Sequence, residues 1–218
     1  LLSYVEQAFT PEAHFNFDLF QQHAQLAQRI MDDIIDLELE KIESILEKID
    51  KDPEPTAVKA TERDLWLKIR TKCESGRRTG IGITAEGDML AALGVRYGSE
   101  NSLDFCENLH RTLALSAYRG SVNLARERGP FPIYDTAREA QNPFIQRLRD
   151  ADPELYADMV KYGRRNIALL TIAPTGTTSL MTQTSSGLEP VFRVAYKRRR
   201  KVNNNDKNTR PTFTDELG

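Results

Sequence analysis

The sequence predicts an α/β fold that is rich in helix and contains a few short buried strands. Long stretches carry apolar residues at intervals of three and four, which is the periodicity of amphipathic helices. Two short apolar runs, 77–84 and 166–173, interrupt this pattern and are typical of buried strands. Helices that connect strands of this kind indicate an α/β arrangement. Since two strands do not make a stable sheet, we expect the remaining strands outside this chain or in short segments that the pattern does not reveal.

The first part of the chain is predicted to be helical. Apolar residues recur over 17–36, and Asn16 stands where an N-cap is expected. The pattern resumes over 42–49, either as a second helix or as a continuation of the first. Two prolines in the stretch 50–55 then end it, because proline removes a backbone donor and fixes the backbone. A further helix follows and is predicted to end near Gly76.

The first predicted strand, 77–84, contains Gly80 and Gly82. Because glycine weakens a strand, the pair suggests close approach of another backbone or of a ligand. The spacing also matches a dinucleotide-binding glycine motif. That motif needs its glycines in the turn between a strand and a helix, whereas these lie inside the strand. We therefore assign no dinucleotide site here.

The middle of the chain is predicted to be mainly helical as well. Helices are expected over 86–93 and 101–127, and Gly94 stands at the position that commonly follows a helix C-terminus. The stretch 129–144 contains several prolines and is predicted to be a loop. A helix near 153–163 then leads to the second predicted strand.

The most informative stretch is the turn PTGTTS at 174–179, which follows the second strand and precedes a segment that can begin a helix. The first N–H groups of a helix lack partners within it and carry partial positive charge, so they and nearby hydroxyls suit a phosphate. Gly176 lets a ligand approach the backbone closely. No lysine follows as in a P-loop, which excludes a Walker-type site. The turn alone is also compatible with a hydroxyl-capped helix that binds no ligand.

Composition narrows the class of protein. The chain has 218 residues, with 30 Lys and Arg against 32 Asp and Glu, a balance that argues against a general nucleic-acid binder and against disorder. No apolar run approaches the ~18 residues that span a bilayer, so no membrane association is expected. Cys73 and Cys106 lack a CxxC arrangement, which indicates a reducing, cytoplasmic setting, and both are expected to be small buried side chains. The three histidines show no metal-ligand spacing, so no metal site is expected.

The strongest charge cluster is the basic segment 193–201. By itself it could bind nucleic acid or phosphates. It lacks the repeated aromatic residues that stack on bases. We favour a solvated segment that pairs with the acidic stretch 32–54.

Two long blocks resemble the catalytic subunit of ribonucleotide reductases. They are RRNIALLTIAPTGTTSLMTQTSSGLEPVF at 164–192 and GRRTGIGITAEGDMLAALGVRYGSE at 76–100. A third, FNFDLFQQHAQLAQRIMDDIIDLE at 15–38, is similar to the helix that follows the second redox-active cysteine segment of that family. The resemblance covers essentially the whole chain, in order. Within that family, the adenosylcobalamin-dependent class is the one most similar to this sequence in PTGTTS and in EPVF followed by YKRRRK. The iron-dependent class usually carries Glu where this chain has Gly176.

The resemblance implies a fold and an activity. Residues 1–218 would be a fragment, truncated at both ends, of the C-terminal portion of one ten-stranded α/β barrel. The family converts ribonucleotides to deoxyribonucleotides through a cysteine thiyl radical, so the parent would be a ribonucleoside-diphosphate or -triphosphate reductase. Adenosylcobalamin is the implied cofactor of the parent. The implied partners are the ribonucleotide substrate, a dithiol reductant such as thioredoxin, and the remainder of the same subunit.

The resemblance also implies site residues. The substrate phosphates would be bound by Thr175, Gly176, Thr177, Thr178 and Ser179. The thiyl cysteine of the family lies in an Asn-Leu-Cys-x-Glu segment that this sequence lacks, so no catalytic residue is assigned and the chain alone is expected to be inactive. Two alternatives stay open. One is a phosphate-binding module of another α/β enzyme, and the other is a nucleic-acid-binding protein that uses 193–201.

Overall fold

The computed structural model describes residues 1–197, and α-helices account for most of them. A 3-10 turn at Leu2–Tyr4 precedes a short antiparallel pair of strands, β1 (Val5–Glu6) and β2 (His14–Phe15). The helices are α1 (Phe17–Lys51), α2 (Thr56–Gly76), α3 (Glu86–Ala92), α4 (Glu100–Arg128), α5 (Thr136–Ala140), α6 (Pro143–Ala151), α7 (Pro153–Tyr162) and α8 (Gly176–Thr182). The helix-rich character predicted from the sequence is confirmed. Over residues 1–197, none of these helices is long and apolar enough to cross a membrane.

Helix α1 begins where predicted and is longer than its first apolar stretch. The side chain of Asn16 caps it by accepting a hydrogen bond from the N–H of Leu19 at 2.9 Å. The helix runs unbroken to Lys51, so the apolar pattern at 42–49 is a continuation. The chain then reverses, and α2 returns antiparallel to α1.

Helix α1 packs against both α2 and α4. The contact with α4 depends on Gly120, where an added Cβ would lie 3.2 Å from the Cα of Gln25. Two apolar cores flank the middle of the chain. One gathers around α3 and includes Phe20, Met89, Leu90 and Leu109, and the other gathers around α7 and includes Ile145, Leu155, Met159 and Leu169.

The two predicted strands run side by side in parallel, as an α/β arrangement requires. The N–H of Ile81 donates to the carbonyl of Leu169 at 2.7 Å, and the N–H of Thr171 donates to the carbonyl of Ile81 at 2.9 Å. Ile81 and Leu170 form a parallel bridge. A Cβ on Gly82 would lie 2.6 Å from the carbonyl oxygen of Thr171. The close approach of another backbone, predicted from the glycines, is therefore confirmed.

The prediction of fully buried strands is wrong in part. The pairing of 77–84 with 166–173 is limited to one bridge and its neighbouring hydrogen bonds. Leu169 is 1% exposed, whereas Ile172 is 54% exposed and its two neighbours are exposed as well. A parallel strand is buried when other strands and helices cover its edges and faces. In the part of the chain that the structure describes, these two segments have only each other as strand neighbours.

The stretch 129–144 was predicted to be a loop, but it contains α5 and the start of α6. Asp135 caps α5 by accepting two backbone N–H bonds, and Asn142 caps α6 by accepting from the N–H of Phe144 at 2.9 Å. Pro143 occupies the first turn of α6, where a missing N–H costs no helical hydrogen bond. Proline and polar residues that suggested a loop are here the signals that start two short helices.

A buried polar network joins the helices to the parallel segments. Asp32 of α1 is 0% exposed and accepts from Arg77 Nε at 2.8 Å and from Asn166 Nδ2 at 3.0 Å. Gln28, one turn earlier, donates to Asn166 Oδ1 at 2.8 Å, and Ser121 of α4 donates to the same oxygen at 2.9 Å. Both parallel segments are therefore fixed to α1, and the second is fixed to α4 as well.

Candidate functional site

The turn PTGTTS leaves the carboxyl end of the parallel pair and opens helix α8. Thr175 is the N-cap residue and α8 starts at Gly176. Within residues 1–197, the backbone N–H groups of Gly176, Thr177 and Thr178 donate no hydrogen bond, and the side chain of Thr175 does not cap them. Three backbone donors at this end of the strand are therefore available to an anion.

The surface around these donors is open. Gly176, Thr177 and Thr178 are exposed, and a Cβ added at Gly176 would meet no atom within 4 Å. The hydroxyls of Thr177 and Thr178 have no hydrogen-bond partner among the described residues. Two hydroxyls and three N–H groups at the start of α8 are therefore without hydrogen-bond partners among the described residues.

The other two predicted residues use their hydroxyls within the protein. Thr175 Oγ1 accepts from the N–H of Gly187 at 2.7 Å and lies 2.9 Å from Thr84 Oγ1. Ser179 is 7% exposed, and its hydroxyl donates to the carbonyl of Gly176 at 2.8 Å. The sequence placed all five residues in one class, whereas the structure separates three exposed residues from two that hold the turn. Thr84 was not identified from the sequence, because it lies far from the turn along the chain.

A second turn, 184–187, supports PTGTTS from the side of α3. Asp88 Oδ2 accepts from the N–H of Ser185 at 2.6 Å, and the N–H of Asp88 donates to Ser185 Oγ at 3.3 Å. A Cβ on Gly87 would lie 2.6 Å from the Cα of Pro190, so α3 and the segment after the turn approach to backbone contact. Sequence reasoning missed Asp88 and Ser185. Neither carries a local signal, because their contact forms only in three dimensions.

The comparison with known families decides the identity of the chain. Residues 1–218 match the family described as "Ribonucleotide reductase, barrel domain". The chain belongs to this family. The resemblance found in the sequence is confirmed over its whole length.

Curated relatives of this chain include proteins named vitamin B12-dependent ribonucleoside-diphosphate reductases. That of Mycobacterium tuberculosis is 28% identical over 187 residues, which are 86% of this chain and 20% of that protein. That of Thermoplasma acidophilum is 27% identical over 183 residues, 84% of this chain and 18% of that protein. The ribonucleoside-diphosphate reductase subunit alpha of Treponema pallidum is 24% identical over 120 residues, 54% of this chain and 14% of that protein. The chain spans about a fifth of the length of these vitamin B12-dependent relatives.

Elsewhere in the chain, the carboxylate of Glu86 contacts the thiol of Cys106 and the imidazole of His110. The side chain of Glu86 is 7% exposed, accepts from Cys106 Sγ at 3.2 Å and lies 2.8 Å from His110 Nε2. Burial, followed by the hydrogen bond and charge of Glu86, raises the pKa of Cys106 to about 12. Burial is also the largest cause that raises the pKa of Cys73. Both thiols are free and half-buried, less buried than predicted, and neither is activated as a nucleophile at neutral pH.

Two further expectations concern metal and the basic segment. Over residues 1–197, no group of three or more His, Cys, Asp or Glu side chains is placed to hold a metal ion. In the basic segment 193–201, residues 193–197 are exposed and the rest lies outside the described residues. The pairing of this segment with the acidic stretch 32–54 therefore stays a prediction.

Proposed function

We propose that the chain forms the C-terminal part of the catalytic barrel of a ribonucleotide reductase, and that residues 175–179 bind the phosphates of its ribonucleotide substrate. Family membership supports the first part of this proposal. The observation that carries the second is the set of three open N–H groups at Gly176, Thr177 and Thr178. They lie at the carboxyl end of a parallel strand pair, which is where ligands of α/β sheets bind.

In this proposal, the phosphates meet two kinds of donor. The N–H groups at the start of α8 carry partial positive charge, and the hydroxyls of Thr177 and Thr178 add donors of their own. Thr175 and Ser179 contribute by holding the turn, because their hydroxyls bond within the protein. Phosphate bound here would hold the ribose in a fixed place, which is a positioning contribution to the reaction rate.

The radical chemistry is proposed to come from the remainder of the parent subunit. Cys73 and Cys106 lie within helices, and both have a raised thiol pKa. Neither stands in the Asn-Leu-Cys-x-Glu context that the resemblance requires for the thiyl radical. A dithiol such as thioredoxin would supply the electrons to cysteines elsewhere in the parent. The two free thiols fit the reducing, cytoplasmic setting proposed for it.

Adenosylcobalamin is the proposed cofactor of the parent, because two of the relatives are vitamin B12-dependent by name. Two of the grooves on the described surface lie between α1 and α4 and between α4 and α6, and their volumes are about 460 and 610 Å³. His110 lines the larger groove, but its Nε2 already contacts Glu86. We therefore expect the cofactor to be held by other parts of the subunit.

The test is a paired valine substitution in the full-length reductase. Thr177→Val combined with Thr178→Val keeps the side-chain shape and removes both open hydroxyls. Hydrogen bonds to a charged group are worth about 1.5–3 kcal/mol each, so we expect the Michaelis constant for a ribonucleoside diphosphate to rise at least about tenfold. The matched control is Thr182→Val on the same helix, since its hydroxyl is already bonded within the chain, to the carbonyl of Thr178 at 3.0 Å and to the hydroxyl of Thr184 at 2.8 Å.

Steady-state kinetics of the three proteins decide the matter. A raised Michaelis constant in the paired variant and an unchanged one in Thr182→Val support the phosphate site. Unchanged kinetics in the paired variant would show that these hydroxyls do not bind substrate.

A further inference from the structure

We propose that Thr84 and Asp88 are positioning residues that hold the phosphate turn in its binding geometry through the second turn, 184–187. This inference rests on the proposed phosphate site and adds residues to it that do not touch the substrate. Both residues belong to the α3 region, whose first turn lies beside 184–187.

The first link is a directional chain of hydrogen bonds. The N–H of Gly187 donates to Thr175 Oγ1 at 2.7 Å, Thr175 and Thr84 hydroxyls lie 2.9 Å apart, and the Thr84 hydroxyl donates to the carbonyl of Ser185 at 3.1 Å. Each hydroxyl has one proton. With the proton of Thr84 directed to Ser185, the hydroxyl of Thr175 has two acceptors within the protein, Thr84 Oγ1 at 2.9 Å and Ser186 Oγ at 3.3 Å. The hydroxyl of Thr175 is thereby used within the protein.

The second link fixes the turn 184–187 to α3. Asp88 and Ser185 exchange two bonds, one from the N–H of Ser185 to Asp88 Oδ2 at 2.6 Å and one from the N–H of Asp88 to Ser185 Oγ at 3.3 Å. Helix α3 is itself anchored in the core, because Met89 and Ala92 are 0% exposed and Leu90 is 1% exposed. The core therefore fixes Asp88, Asp88 fixes the turn 184–187, and this turn fixes the position of Thr175.

The packing around PTGTTS shows why such a tether matters. Residues 171–174 are exposed, and so are residues 176–178. Leu180 and Met181 on α8 are 79% and 82% exposed. Apolar burial thus contributes little to the position of the turn in the described chain. The hydroxyl of Thr175, the N-cap residue, is the side-chain connection between the start of α8 and the α3 region.

The test uses the full-length reductase and separates the hydroxyl of Thr84 from its methyl group. Thr84→Val removes both neutral hydrogen bonds of this hydroxyl, to Thr175 and to Ser185. We expect the Michaelis constant for a ribonucleoside diphosphate to rise about three- to tenfold, with a smaller change in kcat. Thr84→Ser retains the hydroxyl and should restore the value of the unmodified enzyme. Asp88→Asn keeps an oxygen that can accept from Ser185, and Asp88→Ala does not, so the alanine variant should show the larger rise.

A double-substitution cycle checks that Thr84 acts through Thr175. Combining Thr84→Val with Thr175→Val should raise the Michaelis constant by less than the product of the two single effects, because the bond between the two hydroxyls is lost in either single variant. A purely structural effect at an unrelated place would instead add. If Thr84→Val does not accumulate as folded enzyme, the Asp88→Asn and Asp88→Ala pair decides the proposal by the same measurement.

The outcomes separate this inference from the phosphate site. If Thr177→Val with Thr178→Val raises the Michaelis constant but Thr84→Val and Asp88→Ala do not, the tether is overturned and the phosphate site stands. If none of these variants raises it, the phosphate site itself fails. A Thr84→Ser enzyme as impaired as Thr84→Val would also overturn the tether, since the methyl group rather than the hydroxyl would then be responsible.

Discussion

Asp32 is the residue through which several segments meet. It is 0% exposed and contacts the guanidinium groups of Arg77, Arg128 and Arg165 at 2.8, 3.1 and 3.3 Å. Burial alone would raise the pKa of Asp32, but the hydrogen bond and charge of Arg77, with contributions from Asn166 and Arg165, outweigh burial and lower that pKa. The folded-state pKa therefore lies below that of the unfolded chain. The ionised carboxylate stabilises the fold above about pH 4, and this stabilisation is lost as the pH falls through the lower folded-state pKa.

We predict that Asp32→Asn lowers the free energy of unfolding at neutral pH by about 3–5 kcal/mol, because the buried guanidinium of Arg77 loses the negative charge of Asp32. The variant should also lose less stability than the unmodified protein on acidification below about pH 4. The control is Asp33→Asn, whose 50% exposed carboxylate pairs with Arg128 and should contribute less than about 1 kcal/mol. Urea unfolding at both pH values measures the difference. Equal losses for the two variants would contradict a central role for Asp32.

For single residues, the sequence predicted the contacts whose partners lie close along the chain. Asn16 was identified as a cap because its partner, Leu19, is one helical turn away. Asp32 was predicted only as part of the acidic stretch 32–54, because its partner Arg165 is 133 residues away. Thr84 was equally hidden, since it contacts Thr175 across 91 residues. No local pattern marks such pairs, because the fold alone brings them together.

Among the elements, α1 carries a buried apolar seam in its second half. Ile35, Ile42, Leu46 and Ile49 recur at intervals of seven, four and three and are all buried. Ion pairs between Arg63 and Asp50 and between Arg70 and Glu43 flank the same contact with α2, but their side chains are 42–58% exposed. Exposed ion pairs contribute little, so the apolar seam stabilises this hairpin.

We predict a large difference between two leucines of α1. Leu46 is 5% exposed and Leu37 is 61% exposed, so they offer the same chemical change in different surroundings. Leu46→Ala should lower the free energy of unfolding of this chain by about 2–5 kcal/mol, since it leaves a cavity in the seam. Leu37→Ala should change it by less than about 0.5 kcal/mol. Urea unfolding followed by circular dichroism measures both, and similar losses would contradict the assigned orientation of α1.

Long helices were predictable because their periodicity is strong over many residues, as in α1 and α4. The two predicted strands are reduced to one parallel bridge between Ile81 and Leu170, and their burial was overestimated. An apolar run reports which residues can be buried, and the neighbours that bury them are set by the rest of the fold. The short helices in 129–144 were missed because five to nine residues give too little periodicity to outweigh proline.

For the molecule as a whole, the surface of α1 indicates contacts beyond the described residues. A second apolar stripe lies opposite its buried face and comprises Leu19, Leu26, Ile30, Ile34 and Leu37, which are 37–61% exposed. Contiguous exposed apolar side chains commonly mark a contact surface. The vitamin B12-dependent relatives are about five times as long as the region matched here. We therefore expect the remaining polypeptide of the parent reductase to cover this stripe.

We predict that this chain has no reductase turnover of its own, because the radical chemistry is proposed to come from the rest of the parent subunit. This chain alone, given adenosylcobalamin, a dithiol and a ribonucleoside diphosphate, should form no deoxyribonucleotide. Its two thiols are the only candidates for a thiyl radical in the sequence, and Cys106, whose pKa is raised to about 12, is bonded to Glu86 within the protein. In the full-length reductase, Cys73→Ser combined with Cys106→Ser should accordingly retain kcat, because neither thiol takes part in the reaction. Product analysis by chromatography tests both statements. Deoxyribonucleotide from the isolated chain, or loss of turnover in a double serine variant that keeps its melting temperature, would place a reacting cysteine within these residues.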